Sequence, residues 1–185
     1  MTPAAPRALI AEDEPLLAAA LQQELRTAWP ELQIAATVGD GLSAVQQALA
    51  LQPDVLFFDI RMPGQTGLDA AVALADAWPA HQPFPALVFV TAYDQYAVQA
   101  FEAQAVDYLL KPVQSARLQK TVQKLRLALT HKAQAAANSI ANQSTAALAP
   151  AHTEAHTQAL EPSLQRTVDQ LRHLLAQPGL SPGST

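Results

Sequence analysis

Three acidic residues stand in a row, Glu12-Asp13-Glu14, and a further carboxylate, Asp59, ends the apolar run Val55–Phe58. Thr91 ends a second apolar run, Leu87–Val90, and Lys111 follows the strand-like segment Val106–Leu110. Carboxylates brought together repel, and unpaired they raise one another's pKa. A hard divalent cation relieves that repulsion. Magnesium takes oxygen ligands, keeps several waters, and accepts one or two carboxylates together with phosphate oxygens. A carboxylate in such a setting can attack a phosphoryl donor and become an acyl phosphate. An ammonium group then neutralises charge on the transferring group, and a hydroxyl can donate to its oxygens. Asp59 is thus the candidate nucleophile, Asp13 its companion at a metal, Lys111 the neutralising cation and Thr91 the hydrogen-bond donor. Each has a plainer reading alone. Glu12-Asp13-Glu14 can favour the positive end of a helix, Asp59 and Thr91 can simply end strands, and Lys111 can be solvated.

What brings such distant residues together must be the fold. Residues 7–130 alternate strand-like and helix-like segments. Ala8–Ala11 reads as strand 1, Leu32–Val38 as strand 2, Val55–Phe58 as strand 3, Leu87–Val90 as strand 4 and Val106–Leu110 as strand 5. Between them, apolar residues recur at helical spacing, as at Leu17, Leu21, Leu25 and Ala28. Pro15 suits a first helical turn, a short helix is expected from Gln95 to Glu102, and the last helix starts near Ser115. Near-continuous apolar strands imply a parallel sheet covered on both faces. The expected class is α/β: a flavodoxin-like, doubly wound, five-stranded parallel sheet in the order 2-1-3-4-5. Ligands of such sheets bind at the carboxyl ends of the strands, where the winding reverses.

With the motifs so placed, the chain resembles the response-regulator receiver family. The resemblance rests on Leu9-Ile10-Ala11-Glu12-Asp13-Glu14-Pro15, Phe57-Phe58-Asp59-Ile60-Arg61-Met62-Pro63, Val90-Thr91-Ala92 and Asp107-Tyr108-Leu109-Leu110-Lys111-Pro112. It implies that Asp59 is the phosphoacceptor, loaded by a sensor histidine kinase. It implies Mg2+ held by Asp13 and Asp59 directly, by Glu12 mainly through water, and by the backbone carbonyl of Arg61. Thr91 and Tyr108 match the family's switch pair, Lys111 its phosphate-binding lysine, and the Lys111–Pro112 bond is expected to be cis. The receiver is not expected to be a turnover enzyme, beyond supporting its own phosphotransfer and slow loss of the phosphoryl group. A haloacid-dehalogenase-like phosphatase would also use an aspartate nucleophile, but it wants a second aspartate where Arg61 stands. A pseudo-receiver acting only in dimerisation is the remaining rival.

The stretch from Val90 through Asp94, Gln95, Tyr96 and Phe101 to Pro112 looks more narrowly like the LytTR-type subgroup, whose members carry a C-terminal DNA-binding domain. These residues end before any such domain, so a truncated chain or a lost output domain is expected, with DNA bound only through the absent part. A homodimer is the expected assembly.

Bulk properties agree. The net charge of −5 lies in residues 1–130, which hold 13 acidic and 8 basic side chains. That is no basic footprint for nucleic acid. There is no cysteine, no apolar run of membrane length and no signal-like N-terminus, so a cytoplasmic location is expected. After the receiver, 1–130, an Ala/Gln-rich linker or helix extension is expected over 131–161, a short amphipathic helix over 162–177, and a flexible tail over 178–185. The helix carries Leu164, Val168, Leu171 and Leu175 at heptad spacing. His152 and His156 read as linker rather than metal ligands, because Glu154 is misplaced for a zinc motif. Arg117, Lys120 and Lys124 read as a solvated stripe, and Trp29 and Trp78 as packed helix ends.

Overall fold

The computed structural model describes residues 5–146, with side chains described to residue 138. Expectations for 147–185, the heptad seam and the histidine pair among them, lie outside the described residues. Strands β1 (Arg7–Ala11), β2 (Gln33–Val38), β3 (Val55–Phe58), β4 (Ala86–Thr91) and β5 (Asp107–Leu110) form one parallel sheet in the order β2-β1-β3-β4-β5. Helices α1 (Pro15–Ala28), α2 (Gly41–Leu51), α3 (Gly67–Ala77), α4 (Ala97–Glu102) and α5 (Ser115–Ala146) connect and extend it. The expected sheet order is the observed one. Strand ends differ by a residue, as in β2, where Leu32 precedes the ladder.

Local chemistry explains the elements. Pro15 opens α1 at a position where its missing N–H costs nothing. Asp40 caps α2 by accepting from the Ser43 amide at 2.8 Å, and Thr66 caps α3 by accepting from the Asp69 amide at 3.1 Å. No side chain caps α1, although Glu14 occupies the cap position. The plain capping reading of the acidic run therefore lacks support in the geometry.

The strands send alternate residues to two cores. Ala8, Ile10, Phe57, Val88 and Val90 pack with Leu21 and Leu25 of α1 and with Leu118, Val122 and Leu125 of α5. Leu9, Leu56, Phe58, Leu87 and Phe89 pack with Ala44 and Ala48 of α2, Ala70 and Leu74 of α3, and Ala100 of α4. Large side chains such as Phe57, Phe58 and Phe89 are fully buried, each contributing about 1.5–3 kcal/mol on removal from water. Burial on both faces fixes the register of β1 against β3, where Ala11 pairs with Phe58. The residues just beyond, Glu12 and Asp59, are thereby brought to one edge.

The last helix passes position 130 and runs on to Ala146. Of the two readings for the start of the Ala/Gln-rich segment, helix extension is the one found. The basic stripe needs correcting. Arg117 and Lys124 both pair with the Asp107 carboxylate, at 2.6 and 3.1 Å, so they are not merely solvated.

Candidate functional site at the carboxyl edge of the sheet

Each strand of the centre delivers one polar residue as it leaves the core. The Glu12 amide donates to the Val38 carbonyl at 2.8 Å, and the Asp59 amide to the Ala11 carbonyl at 2.8 Å. The ladder thus continues one step past the strands and holds both acidic residues by their backbones. Glu12 and Asp59 are buried, while Asp13 is exposed. One carboxylate oxygen from each of Glu12, Asp13 and Asp59 lies within 4.8 Å of the others.

Lys111 answers this cluster from the far side. Its Nζ lies 2.7 Å from Asp59 Oδ2 and 2.6 Å from Glu12 Oε2. Its amide donates to the Thr91 carbonyl at 2.9 Å, which ties the lysine to the end of β4. The Lys111–Pro112 peptide is cis, as the resemblance implies. Burial alone would depress the ammonium's pKa, but the hydrogen bonds to Asp59 and Glu12 outweigh it and leave it raised. Burial pushes the Glu12 carboxyl up, with Lys111 partly offsetting the effect. The other oxygen of Asp59 faces its own loop, where the Arg61 amide donates to Oδ1 at 3.3 Å.

Thr91 is completely buried, and its hydroxyl has no hydrogen-bond partner among the described residues. A buried hydroxyl left unpaired costs about 1–3 kcal/mol. Tyr108, on β5 beside β4, is half-buried and donates its hydroxyl to the Tyr93 carbonyl.

Glu12, Asp13, Asp59 and Lys111 therefore meet at one edge, while Thr91 ends β4 and Tyr108 pairs with Phe89 inside the sheet. Three carboxylates against one contacting ammonium leave an excess of negative oxygen donors. That donor set fits a small divalent cation, by charge and by the hardness of its oxygens.

Some features were not anticipated. The Arg61 side chain lies over the Tyr93 ring at 4.7 Å and donates to the Tyr96 hydroxyl at 3.2 Å. Gly67 packs directly under the Asp59 carbonyl. Asp107, just before Tyr108, is half-buried and takes Arg117 by both oxygens, Thr121 at 2.7 Å and Lys124. A weak signal for this network existed in the sequence: Arg117, Thr121 and Lys124 follow at spacing three and four, on one helical face.

The sequence matches the response regulator receiver domain over residues 8–123. The chain belongs to that family. The receiver is 48% identical, over 120 residues, to an uncharacterized response regulatory protein of Vibrio cholerae, covering 64% of this chain and 44% of that one. It is 45% identical over 123 residues to the transcriptional regulatory protein BtsR of Escherichia coli K12, covering 65% and 48%. The chain thus spans about half the length of the curated relatives it matches. Among solved structures, the response regulatory domain of protein mrkE from Klebsiella pneumoniae aligns with TM-score 0.61 and 34% identity, over 68% of this chain and 98% of that one. The receiver domain of AraT, a response regulator from Geobacillus stearothermophilus, aligns with TM-score 0.62 and 30% identity, over 69% and 97%. The receiver is the signal-accepting domain of a two-component response regulator, with transcriptional regulators among its relatives. No described helix is long and apolar enough to cross a membrane.

Proposed function

We propose that this receiver accepts a phosphoryl group on Asp59 from a sensor histidine kinase. The observation that carries the proposal is the Asp59 carboxylate itself, buried beside Glu12 and Asp13 and bridged to Glu12 by Lys111. An Asp59 oxygen attacks phosphorus, a new acyl P–O bond forms, and the bond to the donor's leaving group breaks, the leaving group keeping the electron pair. Lys111 follows the charge from the carboxylate to the phosphoryl oxygens, and the backbone holds Asp59 in line through Ala11 and Arg61.

Glu12, Asp13, Asp59 and the Arg61 carbonyl would hold Mg2+. When bound, the ion would supply charge neutralisation for the phosphoryl transfer. The unpaired Thr91 hydroxyl supports the switch reading, because a phosphoryl oxygen on Asp59 offers the acceptor it lacks. Movement of Thr91 would bias β4, α4 and β5 between two arrangements, with Tyr108 as the reporting ring.

The response surface is proposed to be the α4–β5 edge, joining a second copy. Phe101 is 82% exposed, Val98 67% and Leu110 49%. The LytTR-type resemblance of Val90–Pro112, together with a relative that is a transcriptional regulatory protein, supports control of a DNA-binding output of that type in the cytoplasm.

Intact-protein mass spectrometry after acetyl phosphate treatment is the test. The expected result is a gain of one phosphoryl group that depends on magnesium and is lost in Asp59→Asn. No gain in the wild type under any condition would reject the phosphoacceptor role and favour a receiver that acts through protein contacts alone.

A further inference from the structure

Tyr93 takes two partners, one on its ring and one on its backbone carbonyl. Its ring receives the Arg61 guanidinium at 4.7 Å, and its carbonyl receives the Tyr108 hydroxyl. Parallel pairing explains the meeting. Phe58 of β3 is opposite Phe89 of β4, so the chains leave the sheet side by side. Arg61 and Tyr93, shortly beyond those strands, emerge as neighbours above the carboxyl edge. Tyr96 completes the group: its hydroxyl accepts from Arg61 at 3.2 Å, and its ring meets that of Tyr93 edge to face at 6.2 Å.

The Arg61 side chain therefore joins the loop that carries Asp59 to the loop after β4. Along the same route, the Tyr108 hydroxyl joins β5 to that loop. A flat guanidinium can stack on one ring while donating in its plane to another group, which a lysine ammonium cannot do.

We propose that Arg61 and Tyr93 are positioning residues that set where Tyr108 sits, linking the Asp59 loop to β5 through the Tyr93 ring and carbonyl rather than through Thr91. The inference rests on the phosphoacceptor reading for its biological sense, but the contacts that carry it are present in the unmodified protein. Removing the Arg61 side chain frees the Tyr93 loop and with it the acceptor of the Tyr108 hydroxyl. The ring then samples its alternative placement without any phosphoryl group. A single exposed cation–π contact shifts such an equilibrium by about two- to fivefold. Linkage is reciprocal: whatever engages the Arg61 loop changes Tyr108, and changes at Tyr108 alter what that loop binds.

The test uses the full chain labelled with 3-fluorotyrosine, which adds probes at Tyr93, Tyr96 and Tyr108 only. Tyr108→Phe assigns the fluorine resonance of Tyr108. The expected result is that Arg61→Ala and Tyr93→Leu, unphosphorylated and folded by circular dichroism, both move the Tyr108 resonance toward its place in acetyl-phosphate-treated wild type. Arg61→Lys moves it less than Arg61→Ala. An unchanged Tyr108 resonance in folded Arg61→Ala overturns the proposal. Mass spectrometry on the same samples separates the two readings. Wild type that gains no phosphoryl group, while Arg61→Ala still shifts Tyr108 relative to untreated wild type, rejects the phosphoacceptor role and leaves the coupling standing.

Discussion

Gly67 lies against the backbone carbonyl of Asp59, so close that a Cβ at position 67 would overlap its oxygen. The Gly67 amide donates to the Ile60 carbonyl at 2.9 Å. The start of α3 is thus pressed onto the loop that carries Asp59, and only a residue without a side chain fits. The neighbouring atoms are backbone and cannot swing aside. Gly67→Ala is expected to cost about 1–3 kcal/mol as an overpacking defect and to displace Asp59. Urea unfolding should show the loss, and the rate of phosphorylation by acetyl phosphate should fall with it. Wild-type values for both would mean that the two segments are not in contact.

Lys111 occupies the Glu12 and Asp59 oxygens at which a divalent cation would be held. Lys111→Ala should therefore bind magnesium more tightly than the wild type, because a positive charge has left the cluster. Its phosphorylation should nevertheless slow by about 10²–10³-fold, the usual cost of removing one charge-stabilising donor. Isothermal titration and single-turnover mass spectrometry separate the two effects. Weaker magnesium binding in the variant would contradict the competition.

Thr91→Val replaces a fully buried, unpaired hydroxyl with a methyl of similar shape. Removing an unsatisfied polar group is neutral or stabilising. Thermal stability should hold or rise, phosphorylation should still occur, and the shift of Tyr108 on phosphorylation should be lost. A clear drop in stability would show that the hydroxyl already has a partner.

Asp107 predicts a pH dependence. Burial alone would raise its carboxyl, but hydrogen bonds from Arg117 and Thr121, the Tyr108 amide and Lys124 hold it well below the ordinary value of 3.8. A carboxyl depressed in the folded state contributes stability that is complete above the unfolded value and is lost as the pH falls through the folded one. The stability gap between wild type and Asp107→Asn should be constant near neutrality and shrink below 3.8. Because Arg117 and Lys124 are 40% and 53% exposed, solvent screens the pairs, and the gap should be about 1–3 kcal/mol. Urea midpoints across the acid range measure it.

Phe101, the most exposed large apolar side chain of α4, tests the assembly. Phe101→Asp should leave phosphorylation intact and abolish any dimer that forms on phosphorylation. Sedimentation velocity with and without acetyl phosphate reads this directly. Unaltered dimerisation would place the contact elsewhere.

Much of this was legible in the sequence. Val55–Phe58 and Leu87–Val90 are apolar throughout, which marks strands buried on both faces, and each ends in a residue with chemistry, Asp59 and Thr91. Once the strands are recognised, the parallel order alone sends Glu12, Asp13, Asp59, Thr91 and Lys111 to one edge. The start of β2 and the ends of α4 were less legible, because Gln33 and the Gln95–Tyr96 turn carry no strong periodic signal.

Tertiary structure decided the rest. Residue types and order determined the fold class, the site and its candidate chemistry, because backbone hydrogen bonding and alternating burial act along the chain. Side-chain partnerships across elements were not so determined. Arg61 could have met solvent, Arg117 could have stayed a surface charge, and Gly67 could have been an ordinary turn glycine. Which neighbour each one meets depends on distances between segments far apart in sequence. Packing sets those distances only when both faces of the sheet are covered.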